Sequence, residues 1–285
     1  MKRQNFNAGD WLKSTRQKLS LVEDGGLAAQ VILAHVLGKS REFILAHPEF
    51  LLTDDQAAQL DTLVNRLLKG EPLAYLTGTK EFYGLNFVVN PSVLIPRPET
   101  ELLVEQALAW LKRNPARRRA VDVGTGSGCI AAALLVHVPD LYCVAVDRSM
   151  EALQVACLNF ERLGVAERAF LVNGNLLDAV AGSFDLVCAN LPYIPAGEVE
   201  GLPVSRYEPL LALNGGHGGL AWIAALAADA PRWLAAGGLL LLEIEARQAE
   251  QVVQLIRHHL PAAQVDILND WQGWPRIVRA ERLKG

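Results

Sequence analysis

The spacing of apolar residues divides the chain into two parts with different secondary structure. In the first part, a capping-box pattern at Thr53-Asp-Asp-Gln56 is followed by apolar residues that recur on one helical face until Gly70. Two earlier helices are predicted around residues 11–19 and 27–37, where apolar positions also follow a helical period. Residues 1–78 are therefore predicted to form a small bundle that is stable mainly through its packed faces.

A short segment without helical spacing follows this bundle. Residues 82–95 are rich in β-branched and aromatic side chains and are interrupted by Gly84 and by Asn90-Pro91. This pattern predicts a short β-hairpin. With its flanking residues, the segment 79–96 is predicted to link the helical bundle to the rest of the chain.

From residue 97 onward, short apolar runs alternate with segments of helical spacing. Runs such as Leu239–Ile244 are continuous, as expected of strands that helices cover on both faces. No helical segment separates the last two strands, which predicts an antiparallel hairpin around residues 269–273. Residues 97–285 are predicted to form an α/β domain with a doubly wound, seven-stranded sheet, whose strands are Ala120–Val123, Tyr142–Val146, Phe170–Val172, Phe184–Ala189, Leu239–Ile244, Val265–Leu268 and Ile277–Ala280.

A glycine-rich turn follows the first predicted strand of this sheet. In Asp122-Val-Gly-Thr-Gly-Ser-Gly128 the glycines miss the Gly-x-Gly-x-x-Gly fingerprint of dinucleotide sites, because Cys129 stands at the sixth position. Asp147 ends the next strand, where a carboxylate can accept from two ribose hydroxyls, and Asp122 is placed to attract an ammonium. S-adenosylmethionine carries a ribose, an ammonium and no phosphate, so it is the predicted cofactor. The residues predicted to bind it here are Asp122, Gly124, Thr125, Gly126, Ser127, Gly128 and Asp147.

A second motif ends the fourth predicted strand, about 60 residues after the glycine turn. Its residues are Asn190, Leu191, Pro192 and Tyr193, and they are the predicted catalytic residues. The side-chain oxygen of Asn190 and the main-chain carbonyl of Leu191 can accept the two N–H groups of a planar NH2 group. Tyr193 can present its ring face to that group or to a nearby positive charge. The two motifs together indicate methyl transfer to an amine or amide nitrogen.

The composition is typical of a globular protein and argues against membrane-spanning, secreted and broadly nucleic-acid-binding proteins. With 285 residues, 51% of them hydrophobic, the chain can bury a large core and has room for two domains. No apolar run approaches the ~18 residues of a membrane span, and the first residues lack the apolar core of a secretory signal. A cytoplasmic location is therefore expected. A net charge of −4 argues against a protein that binds nucleic acid through broad phosphate contact.

The cysteines and a cluster of arginines are two further groups of residues that could form sites. The four cysteines show no paired spacing of the kind that zinc requires, so neither metal nor disulfide is predicted. Arg113 and Arg117–Arg119 form a local basic cluster before the first strand of the sheet. A solvated turn is the favoured interpretation, and contact with RNA on a partner's surface is left open.

The chain resembles the glutamine methyltransferases that modify peptide chain release factors. The resemblance is carried by the segment Pro91-Ser-Val-Leu-Ile-Pro-Arg-Pro-Glu-Thr-Glu101, the glycine turn and the motif Asn190-Leu-Pro-Tyr193. Residues 70–78 and 81–84 resemble the same family, so the similarity spans nearly the whole chain. Ile95-Pro-Arg-Pro-Glu-Thr100 makes it specific, because methyltransferases at large do not share this segment.

Membership implies a class I S-adenosylmethionine-dependent methyltransferase sheet that carries a helical amino-terminal docking domain. The catalytic domain would methylate the side-chain amide nitrogen of the glutamine in the Gly-Gly-Gln loop of class 1 release factors. S-adenosylhomocysteine would be the second product, and a monomer without a stable nucleic-acid partner is expected. Asn190, Asn175 and Leu176 would also contact the cofactor, the last two beside its adenine.

Four positions depart from the family pattern. Leu191 stands where proline is usual and frees the backbone torsion that proline would fix, although its carbonyl can still accept. Asn175 replaces an aspartate and can still accept from the adenine amine, but without charge. Glu245 replaces an expected glycine and Gly218 an expected aspartate, for which the sequence offers no reason.

Other polar residues and other functions stay open. Arg97 and Glu99 could frame the entrance of the active site or form an ion pair at a hinge, and Glu208 and Asn214 lie on a loop that could close over the substrate.

Three rival functions share most of these features. They are an adenine-specific nucleic-acid methyltransferase, a glutamine methyltransferase of a ribosomal protein, and a catalytically weakened cofactor-binding protein.

Overall fold

The computed structural model describes residues 7–283, which form two compact units divided between Thr79 and Lys80. The first unit is helical, as predicted. Its helices are α1 (Ala8–Lys18), α2 (Gly25–Leu37), α3 (Arg41–Ala46), α4 (Asp54–Leu68) and α5 (Leu73–Thr77). The capping box is present, because the Gln56 N–H donates to Thr53 Oγ1 and the Thr53 N–H donates to Gln56 Oε1. Side chains such as Trp11, Ile32 and Leu60 fill the core of this unit.

The two-stranded sheet that follows lies earlier than predicted. Its strands are β1 (Thr79–Phe82) and β2 (Leu85–Val88), so the predicted bounds of residues 82–95 are wrong. Tyr83 and Gly84 both have positive φ, which is the geometry of a tight two-residue hairpin turn. Asn90-Pro91 lies in a separate turn, where the Val93 N–H donates to the Asn90 carbonyl. A role of residues 79–96 as a domain linker stays a prediction.

The rest of the chain forms the predicted seven-stranded sheet. Its strands are β3 (Arg119–Val123), β4 (Tyr142–Asp147), β5 (Ala169–Asn173), β6 (Phe184–Ala189), β7 (Leu234–Glu243), β8 (Ala263–Asn269) and β9 (Pro275–Arg282). Their order is β5-β4-β3-β6-β7-β9-β8. The first five strands of the sheet pair in parallel, whereas β9 is antiparallel to both β7 and β8, as predicted for the closing hairpin.

Helices cover both faces of this sheet. They are α6 (Glu101–Arg113), α7 (Cys129–His137), α8 (Met150–Arg162), α9 (Ala196–Val199), α10 (Ala221–Trp233) and α11 (Ala249–His259). Leu239 and Leu241 pack into the core beneath α6 to α8, while Leu240 and Leu242 pack on the opposite face with α10 and α11. Burial on both faces explains why the β7 run is continuously apolar. Among residues 7–283, no helix is long and apolar enough to cross a membrane.

The arginines before β3 are held by acidic side chains. Arg117 Nη1 donates to Asp185 Oδ1 at 2.9 Å, and the N–H groups of Arg118 and Arg119 each donate to Asp185 Oδ2 at 3.1 Å. Arg118 also pairs with Asp140 at 2.6 Å. These bonds fix the start of β3 against β6. Contact of this cluster with RNA, which the sequence left open, stays untested.

Strand pairing aligns the carboxyl ends of the parallel strands. Val123 pairs with Val146 on β4 and with Ala189 on β6, and Ala189 pairs with Leu242 on β7. The next residues along these strands therefore lie in one row across the edge of the sheet. From β4 to β7 they are Asp147, Gly124, Asn190 and Glu243. The chain reverses its direction of winding between β3 and β6, so this row crosses the switch point of the sheet.

Gly128 gives a test of the packing behind this row. It has a φ of 79°, and a Cβ there would lie 2.7 Å from the Phe160 ring. We expect Gly128→Ala to lower the free energy of unfolding by about 2–4 kcal/mol, through overpacking and unfavourable backbone torsion together. Gly164→Ala is the matched control, since Gly164 also has positive φ but faces open space. It should cost about 1 kcal/mol. Equal losses for the two variants in urea unfolding would contradict this account.

Candidate active site

A cleft opens at the carboxyl ends of β3, β4, β5 and β6, within the second unit. Its free space, including the solvent-open mouth, is about 1050 Å³. Most of the predicted site residues line it: Gly124, Thr125, Gly126, Ser127, Asp147, Asn175, Leu176, Asn190, Leu191 and Pro192. Asp122, Gly128 and Tyr193 are not part of this lining. The fold thus brings the two sequence motifs to one cleft.

The glycine turn is ordered by the carboxylate at the end of β4. Asp147 Oδ2 accepts from the Gly126 N–H at 2.9 Å, and Oδ1 accepts from the Ser149 N–H at 2.9 Å. Each oxygen keeps a further lone pair that a ligand hydroxyl can use. Gly126 has a φ of 55°, and no atom lies within 4 Å of the position that its Cβ would take. Backbone and carboxylate therefore face a space that a ligand can fill.

Asp122 lies beneath this turn and is completely buried. Its Oδ2 accepts from Thr125 Oγ1 at 2.7 Å and from the Ala131 N–H at 3.2 Å, while Oδ1 has no partner among the described residues. Burial raises the pKa of this carboxyl to about 6, against the effect of the two hydrogen bonds. The observed role of Asp122 is to order the turn. Direct attraction of a ligand ammonium stays a prediction.

Gly128 also has a structural role, because only a residue without a Cβ fits between the turn and α8. Its predicted contact with the cofactor stays a prediction. Leu176, which lines the cleft, has a φ of 50°, an unusual value for a residue other than glycine. Asn175 Nδ2 lies 3.4 Å from Asp178 Oδ2, which turns the amide oxygen of Asn175 away from that carboxylate.

Asn190 is held by a chain of polar groups at the edge of the cleft. Its Nδ2 donates to Thr100 Oγ1 at 3.0 Å, and the Thr100 hydroxyl also lies close enough to Glu243 to lower the pKa of that carboxyl. Thr100 and Glu243 are buried, and Glu243 Oε2 has no hydrogen-bond partner among the described residues. Burial raises the pKa of Glu243 to about 7, although Thr100 and Arg276 act in the opposite direction.

Tyr193 is fixed mainly through its backbone. Its carbonyl accepts from Gln248 Nε2 at 2.9 Å, and the same nitrogen donates to the Gly218 carbonyl at 3.2 Å. Burial and the nearby Glu243 charge raise the pKa of the Tyr193 phenol to about 12, so the phenol is neutral near pH 7. The predicted contact between its ring and the substrate stays a prediction.

Three of the departures from the family pattern fit the local geometry. Glu245 has a φ of −77°, which any residue adopts, and its carboxylate caps the Arg247 N–H at 2.9 Å. Gly218 has a φ of 61°, where glycine is favoured. The Leu191 side chain is buried against Gly124, and Leu191 lines the cleft without closing it.

Arg97 forms an ion pair with Glu208. The alternative pair, between Arg97 and Glu99, is not present among the salt bridges of residues 7–283. Arg97 Nη2 donates to Glu208 Oε1 at 2.5 Å, and the Ile95 N–H donates to Glu208 Oε2 at 3.3 Å. Glu208 is buried, and these bonds attach the loop that carries it to the segment before α6. Asn214 accepts from the Gly216 N–H through its side chain and from Trp222 Nε1 through its carbonyl.

Sequence reasoning missed three residues that shape the site. Thr100 belongs to the segment that carried the family resemblance, but it was not given a role. Glu243 breaks an otherwise apolar strand at its carboxyl end, and a charge in that position was a usable signal. Gln248 had no such signal, because only the fold brings it to the Tyr193 backbone.

The residues present fit S-adenosylmethionine. The Asp147 carboxylate suits a ribose, and the bare backbone at Gly126 allows close approach. Leu176 supplies an apolar surface on the side where Asn175 offers an amide. Within residues 7–283, no group of three or more His, Cys, Asp or Glu side chains could hold a metal ion.

Family models match both parts of the chain. The model of the PrmC N-terminal domain matches residues 10–78, and that of the methyltransferase small domain matches residues 98–204. A methyltransferase from Pyrococcus furiosus shares the fold at 18% identity with a TM-score of 0.52, covering 81% of this chain and 100% of that one.

Curated relatives are similar along nearly their whole length. The release factor glutamine methyltransferase of Nitratidesulfovibrio vulgaris is 41% identical over 278 residues, which cover 95% of this chain and 94% of the relative. The Escherichia coli protein of the same name is 40% identical over 252 residues, which cover 86% and 88%. Both the helical part and the α/β part of the chain lie within these alignments. The chain therefore belongs to the release factor glutamine methyltransferase family.

Proposed function

We propose that this protein transfers a methyl group from S-adenosylmethionine to the side-chain amide nitrogen of a release-factor glutamine. The observation that carries the proposal is the row of strand ends, in which Asn190 lies beside the glycine turn and Asp147. A group that binds a planar NH2 and a group that binds a ribose thus share one cleft. Family membership supplies the substrate class.

The chemistry follows from the properties of an amide. Its nitrogen is a poor nucleophile, because its lone pair is delocalised into the carbonyl. When bound, S-adenosylmethionine would supply an electrophilic methyl group on a sulfonium sulfur: the S–CH3 bond breaks as the N–CH3 bond forms, S-adenosylhomocysteine leaves as the neutral thioether, and the methylated amide then gives one proton to solvent. As the substrate nitrogen becomes more cationic, its N–H groups become stronger donors. Asn190 Oδ1 and the Leu191 carbonyl then accept more strongly in the transition state than in the ground state.

The remaining residues of the site position these groups. Gln248 holds the backbone at Tyr193, and the Arg97–Glu208 pair holds the segment that precedes Thr100. Fixed acceptors need no reorganisation during the reaction, and correct orientation of the reacting atoms lowers the barrier further. The Tyr193 ring is proposed to face the substrate amide, where a neutral phenol favours a developing positive charge.

The finer features of the proposal come from the family. The substrate is proposed to be the glutamine of the Gly-Gly-Gln loop in class 1 release factors, with the helical unit as the docking domain. The match of residues 10–78 to the PrmC N-terminal domain supports docking of the family's substrate rather than of a ribosomal protein. A monomer that acts in the cytoplasm, where release factors work, completes the proposal.

Substrate identity is tested by methyl transfer to a purified class 1 release factor from labelled S-adenosylmethionine. We expect label on the wild-type factor and none on a factor whose Gly-Gly-Gln glutamine is substituted, because that amide is the acceptor. Label on DNA, or on a ribosomal protein alone, would favour the corresponding rival enzyme. Absence of transfer to all of these acceptors would favour a cofactor-binding protein without catalysis.

Asn190 is proposed to act on the substrate and Asp147 on the cofactor, so variants of the two residues should have opposite effects. Asn190→Ala should lower kcat about 100-fold or more, because it removes a preorganised acceptor of the transition state. Its affinity for S-adenosylhomocysteine, measured by calorimetry, should change little.

Asp147→Ala should weaken that affinity about 10-fold or more, since it removes a charged acceptor that also orders Gly126 and Ser149. Its kcat at saturating cofactor should fall less than that of Asn190→Ala. Loss of cofactor affinity in Asn190→Ala alone would instead assign Asn190 to the cofactor.

A further inference from the structure

We propose that Glu243, acting through Thr100, fixes the side-chain amide of Asn190 so that its oxygen faces the substrate nitrogen. Glu243 and Thr100 are then positioning residues, because they act through Asn190 and not on the substrate. The inference rests on the proposed function and deepens it.

Strand pairing brings Asn190 and Glu243 close together. Ala189 on β6 pairs with Leu242 on β7, so Asn190 and Glu243 are the next residues on neighbouring parallel strands. Thr100 reaches them from the short 3-10 helix Pro98–Thr100, which precedes α6. Its hydroxyl accepts from Asn190 Nδ2 at 3.0 Å and is near enough to Glu243 to lower the pKa of that carboxyl. Thr100 and Glu243 are each only 2% exposed, so water does not compete for these bonds.

The direction of the hydrogen bonds follows from what each group can do. Asn190 Nδ2 already donates to the Thr100 oxygen, and an ionised carboxylate only accepts, so we assign the single proton of the Thr100 hydroxyl to the neighbouring Glu243. The Thr100 oxygen is then left as an acceptor, and Asn190 must turn an N–H toward it. The other end of the amide, Oδ1, is thereby presented on the opposite side.

This orientation matters because the two ends of an amide have nearly the same shape and opposite hydrogen-bonding character. If the Asn190 amide were inverted, its NH2 group would meet the N–H groups of the substrate glutamine. The acceptor that the reaction needs would be lost without any change of packing. The buried, negatively charged Glu243 prevents that inversion, because it keeps the Thr100 oxygen as an acceptor for the Asn190 NH2 group.

Protonation of Glu243 removes the constraint, because a carboxylic acid can donate to Thr100 and leave that hydroxyl free to donate to the Asn190 oxygen. Burial raises the pKa of Glu243 to about 7, so this change falls in an accessible range. The charged and titratable groups around Glu243 are Arg276 on β9, Arg97 and Glu99 before α6, Tyr193 after β6 and Cys129 at the start of α7. The ionised form is the active one, so kcat should rise with pH through about 7.

The first test removes the hydroxyl and keeps the volume of the side chain. We expect Thr100→Val to lower kcat for release-factor methylation about 10- to 100-fold, the loss expected for a buried hydrogen-bonded link to a charged group. The dissociation constant for S-adenosylhomocysteine should stay within about 2-fold, because neither Thr100 nor Glu243 orders the Asp147 side of the cleft. Thr100→Ser is the matched control and should restore kcat to within about 3-fold of wild type, since it returns the hydroxyl.

The second test is independent of how Thr100→Val folds. Glu243→Gln keeps the shape and an acceptor oxygen but does not titrate, so the rise of kcat through about pH 7 should disappear. Asp122, whose pKa burial raises to about 6, stays intact in this variant, so a dependence that remains near pH 6 is not assigned to Glu243. A purely structural role would lower the melting temperature and leave the pH profile unchanged.

Wild-type kcat in Thr100→Val, or a wild-type pH profile in Glu243→Gln, would overturn the positioning role. Failure of the wild-type protein to methylate the release factor at any pH between 6 and 9 would instead overturn the proposed function, and this inference with it. The two failures are therefore distinguishable in one set of assays.

Discussion

The pairing of β3 with β4 and β6, and of β6 with β7, is the constraint on which the site depends. A shift of one residue in any of these ladders would turn the side chain at that strand end to the other face of the sheet. Asp147, Gly124, Asn190 and Glu243 come from distant parts of the chain and meet only because four parallel strands end together. The apolar residues on both faces specify that pairing, so the core of the domain and the geometry of the cleft have one cause.

Two buried carboxylates, Glu243 in this row and Asp122 two residues before Gly124, are both costly to bury. Asp122 and Glu243 each have one oxygen without a hydrogen-bond partner among the described residues. Their raised pKa values are the direct result of burial. Apolar side chains would fill the same space at lower cost, so their presence marks positions where hydrogen-bond direction matters more than stability. Asp122 orders the glycine turn after β3, and Glu243 is the last residue of β7.

Sequence patterns predicted the elements better than the contacts between them. All seven strands of the large sheet were identified, because strands covered on both faces leave continuous apolar runs such as Leu239–Leu242. The first hairpin was misplaced, since its turn needs a positive φ at Tyr83, a residue that gives no sign of it. The cleft residues of both motifs were found, whereas the burial of Asp122 and the link from Glu243 through Thr100 depend on tertiary packing that no local pattern encodes.

Two glycines that follow the Asn190–Tyr193 motif pack against its main chain. A Cβ at Gly215 would lie 2.7 Å from the Pro192 carbonyl, and the Gly215 N–H donates to the Ile194 carbonyl at 2.8 Å. Gly219 leaves even less room, because a Cβ there would lie 2.0 Å from the Tyr193 carbonyl oxygen. The main chain of Pro192 and Tyr193 is thus held by close contact with Gly215 and Gly219. This contact supplies rigidity next to Leu191, where no pyrrolidine ring fixes the backbone torsion.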